Sequence, residues 1–140
     1  MSAQENKALN RRLIEEGFNK QNMAVIEELI ATDHLDHAAF PGVLPGLEGV
    51  KQLFTMFWAA FPDVHVTVED QVAEGDKVVN RITWRGTHQG TFLGVPATGK
   101  QVTVAGIDIG RWADGKAVEH WNTHDFLGLI QHLGVIPEME

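Results

Sequence analysis

A change of hydrophobic period at Pro62 constrains this chain more than any other feature. Before it, Val50, Leu53, Phe54, Phe57, Trp58 and Phe61 recur at helical spacing, which predicts an amphipathic helix over residues 47–61. Pro62 ends that helix, because proline disfavours helical backbone at the residue before it. From Asp63 the period becomes two. Val64, Val66 and Val68 alternate with His65, Thr67 and Glu69, the pattern of a half-buried strand.

The rest of the chain follows the same division. Leu9, Leu13, Ile14 and Phe18 give an apolar face to a helix over residues 4–19. Val25, Ile26, Leu29 and Ile30 do the same for a shorter second helix. "DHLDH" at 33–37 reads as a connector. After the turn "EGD" at 74–76, residues 77–87, 101–112 and 116–124 are predicted strands, and "ADGK" joins the last two tightly. "FLGLIQHLG" is a short amphipathic segment. Helices followed by an antiparallel meander define an α+β fold with helices on one face of a sheet. At 140 residues the expectation is a single domain, 1–140.

Strand parity then sorts the polar residues. The hairpin around Asp114-Gly115 allows Arg111 and Glu119 to pair on one face. Asp108, His120 and Asn122 fall together on the opposite face, taken as the concave, helix-covered one. Trp121 has the other parity and suits a self-association surface on the outer face. Trp58, Trp84 and Trp112 are core or interface candidates, and Trp58 is also assigned to the cavity wall.

Composition removes several function classes. A net charge of -8 disfavours nucleic acid and anionic membrane surfaces as partners. The absence of cysteine removes disulfides and thiol chemistry. The polar start "MSAQENKALNRR" lacks the apolar core of a signal peptide, so a soluble, cytoplasmic protein is expected.

Motifs narrow the chemistry further. "GVPATGK" at 94–100 fits a phosphate-loop spacing, but Gln101 and a strand follow it where Ser or Thr and a helix are needed, so it reads as a loop. His120 and His124 lie roughly 13 Å apart in an extended segment and do not share a metal ion there. His34 and His37 with His120 form a conceivable ligand set, yet no metal is assigned. The only serine is Ser2, and G-x-S-x-G is absent, which leaves acid/base work by carboxylates and imidazoles. A buried Asp108, its pKa raised by desolvation, is the candidate acid/base. A merely structural Asp108, hydrogen-bonded to His120 or Asn122, is the competing reading.

Four segments, "AFPD", "GTHQGTFLGVPATGK", "DIGRWADGK" and "EHWNTHDFLGLIQHLG", carry a resemblance to a known family. The chain resembles the SnoaL-like polyketide cyclases, often called ester cyclases, of the nuclear transport factor 2-like superfamily. The resemblance implies a cone-shaped curved antiparallel sheet with N-terminal helices packed over its concave face, a deep apolar pocket and a homodimer. It implies an intramolecular aldol closure of a hydrophobic polyketide ester, without metal or cofactor. Related isomerase or hydratase chemistry fits the same groups. The position where the cyclases carry a catalytic Asp is Asn122 here. An amide is no base, so either the cyclase reaction is lost, or Asp108 has taken over as acid/base, with His120 as its proton-sharing partner and Asn122 as a positioning donor. Asp36 and His37 are expected at the pocket mouth, and Asp125 is held in reserve. A binding protein of the same fold, without catalysis, is the alternative.

Overall fold

A computed structural model describes residues 1–135. Helix α1 (Ala3–Arg12) begins at a capping box: the Ser2 hydroxyl accepts from the Glu5 amide, and the Glu5 carboxylate accepts from the Ser2 N–H. After Arg12 the helix widens into a π-helical segment, Leu13–Phe18. The helix predicted over 4–19 is thus present, in two geometries. Gly17 lets α2 (Met23–Leu29) come close, since a Cβ there would sit 3.2 Å from Ile26. Ile26 is fully buried, which stabilises the fold by roughly 1.5–3 kcal/mol.

The next element departs from the sequence reading. Ile30 does not end the second helix, and "DHLDH" is not a connector. Ile30–Asp36 is a strand, β1, that pairs in parallel with the last strand of the sheet. Its partner lies more than eighty residues away, and its buried positions do not alternate, so no local period announces it. Helix α3 (Gly46–Ala60) then runs to Phe61 and Pro62, close to its predicted limits.

The meander follows: β2 (His65–Glu74), β3 (Lys77–Thr87), β4 (Gln101–Ala113) and β5 (Lys116–His124). These four pair antiparallel, and β1 extends the sheet to the order β1-β5-β4-β3-β2. Register irregularities between Val68 and Asp70, and between Arg111 and Trp112, mark bulges that bend strands. The β4–β5 turn uses Asp114 and Gly115 at φ of 52° and 80°, the two left-handed residues a tight hairpin turn needs. The "GVPATGK" segment is a loop with no helix after it, leading directly into β4. A final short helix, α4 (Phe126–His132), packs against β4. Among the described residues no helix is long and apolar enough to cross a membrane.

Two apolar clusters hold the layers together. One gathers Phe18, Phe61, Trp84, Phe92 and Leu129; the other gathers Ile26, Leu29, Val50, Val78 and Trp112. The helices and the sheet also meet through polar side chains. Asn19 behaves as one more residue of a neighbouring strand: its Nδ2 donates to the Val66 carbonyl and its Oδ1 accepts from the Val66 N–H, both at 2.8 Å. β2 is an edge strand, so these bonds satisfy backbone groups that otherwise face the helix unpaired. Asn19→Ala is expected to lower stability by about 1–3 kcal/mol in urea unfolding; an unchanged midpoint would show that water replaces both bonds without loss.

Candidate functional site

The inner face of the sheet and the helices enclose a cavity of about 170 Å³. Its lining comes from both apolar clusters. Phe18, Phe40, Phe54, Phe57, Trp84 and Phe126 supply aromatic wall. An apolar cavity of about 150 Å³ accepts benzene, so this one has room for a single ring in its depth.

The polar wall is set by strand register. Gln71 on β2 pairs with Asn80 on β3, Asn80 with Asp108 on β4, and Asp108 with Asn122 on β5. Four polar residues thus stand in one row across the sheet. A neighbouring row contains Gly110, His120 and Asp36, and a third pairs Gly106 with His124. The glycines on either side of Asp108 are spacers. A Cβ at 106 would lie 2.6 Å from His124 Nδ1, and one at 110 would lie 3.0 Å from Asn10 Oδ1.

Hydrogen bonds connect part of this wall. Asp36 Oδ1 accepts from His120 Nδ1 at 3.2 Å, and Asp108 Oδ1 accepts from Asn80 Nδ2 at 2.6 Å. Asp36 also takes the Ala38 backbone N–H at 2.9 Å. His34, on β1, is 6% exposed, and its ring lies 6.4 Å from that of His120. The Nδ1 atoms of His34 and His124 are buried with no hydrogen-bond partner among the described residues.

The charges follow from this burial and pairing. Desolvation raises the Asp108 carboxyl, against smaller opposing effects of the His120 charge and the Asn80 amide. Burial pulls His120 down, but the Asp36 hydrogen bond and the charges of Asp108 and Asp36 outweigh it and hold the imidazole above its ordinary value. Burial likewise works to raise Asp36, yet the His120 hydrogen bond and charge and the Ala38 amide bring it below the usual carboxylate range. His34 is pushed down to about 4, by burial first and then by the His120 charge. His124 is lowered for the same two reasons. The cavity thus sets an Asp36–His120 pair, each group favouring its charged form, beside a reluctant carboxyl and two imidazoles whose charged forms are disfavoured.

Of the residues singled out in the sequence, Asp36, Asp108, His120 and Asn122 line the cavity. His37 and Trp58 do not. His37 follows the end of β1 and is exposed; it bonds Glu119, itself a lining residue, at 2.7 Å and stacks on Trp121. Glu119 also accepts from Arg111 Nε at 2.8 Å, the cross-hairpin pair expected from parity. Trp58 packs in the core, and its indole N–H donates to the Phe18 carbonyl at 3.1 Å. Asp125 lies beyond β5 and caps α4, accepting the Gly128 N–H at 2.9 Å. The sequence reading missed Asn10, Asn80 and His124 as wall residues or their supports and weighed His34 only as a metal ligand. Asn6 and Asn10, four apart on α1, are both buried, which two polar residues in a sequence do not announce.

A curved sheet closed by helices over a cavity with acid/base groups on its sheet wall is an α+β cone. Within that class the comparisons are specific. Residues 8–133 match the SnoaL-like polyketide cyclase family, and the chain belongs to it. It is 29% identical over 129 residues to aklanonic acid methyl ester cyclase DnrD of Streptomyces peucetius, covering 90% of this chain and 88% of that one. It is 28% identical over 119 residues to nogalonic acid methyl ester cyclase of Streptomyces nogalater, covering 84% and 89%. The structure of TsrD from Streptomyces laurentii superimposes with a TM-score of 0.88 at 29% identity, over 97% of this chain and 99% of that one.

The depressed His34 makes a prediction about stability. A histidine that titrates near 4 when folded and near 6.5 when unfolded favours the folded state above 6.5. That contribution is lost progressively as pH falls from about 6.5 to 4. His34→Gln is therefore expected to show a shallower loss of unfolding midpoint between pH 7 and pH 4 than the parent chain. Parallel curves would remove His34 as a source of acid sensitivity.

Proposed function

We propose that the chain is a polyketide-cyclase-type enzyme that holds a hydrophobic small molecule in the cavity and rearranges it by acid/base chemistry. The observation that carries this reading is Asp108, a carboxyl raised by burial, set in a largely aromatic-walled cavity near the Asp36–His120 pair. Raising a carboxylate toward neutrality makes it a better proton acceptor at the pH where it must work. The names of the two Streptomyces relatives favour an acid methyl ester as substrate class.

In the proposed cycle Asp108 takes a proton from a carbon activated by adjacent carbonyls, leaving an enolate. The enolate carbon attacks a second carbonyl of the same molecule and forms the ring-closing C–C bond. The alkoxide so produced takes the proton back from Asp108, and no proton is gained or lost overall. His120, whose cationic form the Asp36 hydrogen bond favours, offsets the charge that moves between Asp108 and substrate. Asn122, directly across from Asp108, donates to the enolate oxygen, where a fixed donor is worth most. The aromatic wall folds the apolar substrate so that the two carbons meet. Isomerase or hydratase chemistry would use the same groups.

The same proposal includes pairing with a second copy through the outer sheet face, where Leu35 and Ile107 are exposed and Trp121 stacks on His37. Sedimentation as a monomer at micromolar concentration would remove that part. For catalysis, Asp108→Asn is expected to cut turnover of a polyketide-like methyl ester by about 10²–10⁴-fold with the fold retained by circular dichroism. A folded, fully active variant would sink the assignment.

One observation favours a second reading, a binding protein of this fold. Asn122 stands where the family resemblance leads one to expect Asp, and an amide does not abstract a proton. Native mass spectrometry that finds a tight, unreacted ligand supports binding. Turnover that appears only in Asn122→Asp supports loss of an ancestral reaction.

A further inference from the structure

The row Gln71–Asn80–Asp108 has a direction. Gln71 Nε2 lies 3.2 Å from the Lys7 carbonyl of α1, and a carbonyl only accepts, so the amide end facing it must be NH2. The same nitrogen lies 2.9 Å from Asn80 and donates its second hydrogen there. Asn80 must therefore present its oxygen to Gln71 and its NH2 to Asp108, at 2.6 Å. A backbone carbonyl on a helix thus fixes both side-chain amides without ambiguity. Asn80 is wholly buried, and no water competes for its two bonded ends.

We propose that Asn80, oriented by Gln71 and the Lys7 carbonyl, is a positioning residue that favours proton exchange at Oδ2 of Asp108 and keeps its carboxyl ionisable. The inference rests on the reading of Asp108 as the acid/base. An amide N–H donating to Oδ1 disfavours a proton on that oxygen, because a hydroxyl oxygen is a poorer acceptor than a carbonyl or carboxylate oxygen. A proton on Asp108 therefore favours Oδ2. The same bond favours the ionised form and partly offsets the burial that raises this carboxyl. The chain therefore does two things for one group: it favours one oxygen for reaction and keeps the buried carboxyl ionisable. Gln71 and Asn80 lie on β2 and β3, where no substrate contact is needed for either effect.

Other groups also face Asp108 and act on its titration. Glu119, His120 and His124 line the same cavity from β5, and Asp36 and His34 from β1. From α1, the π-helical segment and α3, the cavity receives Asn10, Leu13, Phe18 and Phe54, none of which titrates. The effect of the chain must be read against that fixed set, by changing Asn80 alone.

The test is a carbon-13 NMR titration of the Asp108 carboxyl in the full chain, which needs no substrate. In Asn80→Ala the midpoint is expected to rise by about one pH unit or more, the size of a lost hydrogen bond to a charged acceptor. Given a substrate, the acidic limb of the kcat/KM profile should move up with it. If Asn80→Ala does not fold, the parent chain decides. The Asn80 side-chain NH2 resonance should then move with the same midpoint as the Asp108 carboxyl. A folded Asn80→Ala with an unmoved midpoint, or a parent amide resonance indifferent to Asp108 ionisation, overturns the proposal. Neither result touches whether Asp108 is the base, which the activity of Asp108→Asn decides.

Discussion

The arrangement of the cavity depends on the parallel pairing of β1 with β5. Ile30–Asp36 joins the sheet beside a strand more than eighty residues away, and Asp36 pairs in register with His120. Without that edge strand, His120 would face the cavity with no carboxylate against its Nδ1. Burial would then press the imidazole toward neutrality against the Asp108 charge only. The pairing also brings in His34 and makes the covered end of the sheet polar on its inner face. A long-range backbone contact therefore sets the charge state of the site.

The inner face satisfies two opposed demands. An α+β cone needs apolar side chains between sheet and helices, yet this one carries Gln71, Asn80, Asp108 and Asn122 in one row. The conflict is resolved by concentrating the polar groups where strand register lets them meet each other or the cavity. Glycines at 106 and 110 leave room for His124 and Asn10 beside Asp108. The polar row stands opposite an aromatic wall, so its electrostatic effects operate in a poorly hydrated space, where each counts for more than in water.

Much of the fold was legible in the sequence because it depends on local pattern. The period change at Pro62, the bounds of α3 and the strands of the meander follow from side-chain spacing alone. The hairpin at Asp114-Gly115 then gave the register that places Asp108, His120 and Asn122 on one face and pairs Arg111 with Glu119. β1 was not legible, since its buried positions do not alternate and its partner is distant. His37 and Trp58 stay out of the cavity lining for reasons that local pattern also does not carry. His37 lies just past β1 and reaches Glu119 across the sheet edge, and the face of α3 nearest the Phe18 carbonyl takes Trp58 into the core. Asp125 was held in reserve because parity could not say where β5 stops; it stops one residue earlier, and Asp125 caps α4.

The sequence by itself determined the α+β class, the order of most elements and the parity that groups the central acid/base residues. Those follow from periods of 3.6 and 2, which each segment carries in its own side chains. Only the tertiary structure decided which carboxylate holds His120, which amide holds Asp108 and which imidazoles have their charged forms disfavoured. Those outcomes depend on burial and on contacts between β1 and β5, α1 and β2, and β3 and β4. Such contacts are made by residues far apart in the chain, so no local pattern encodes them.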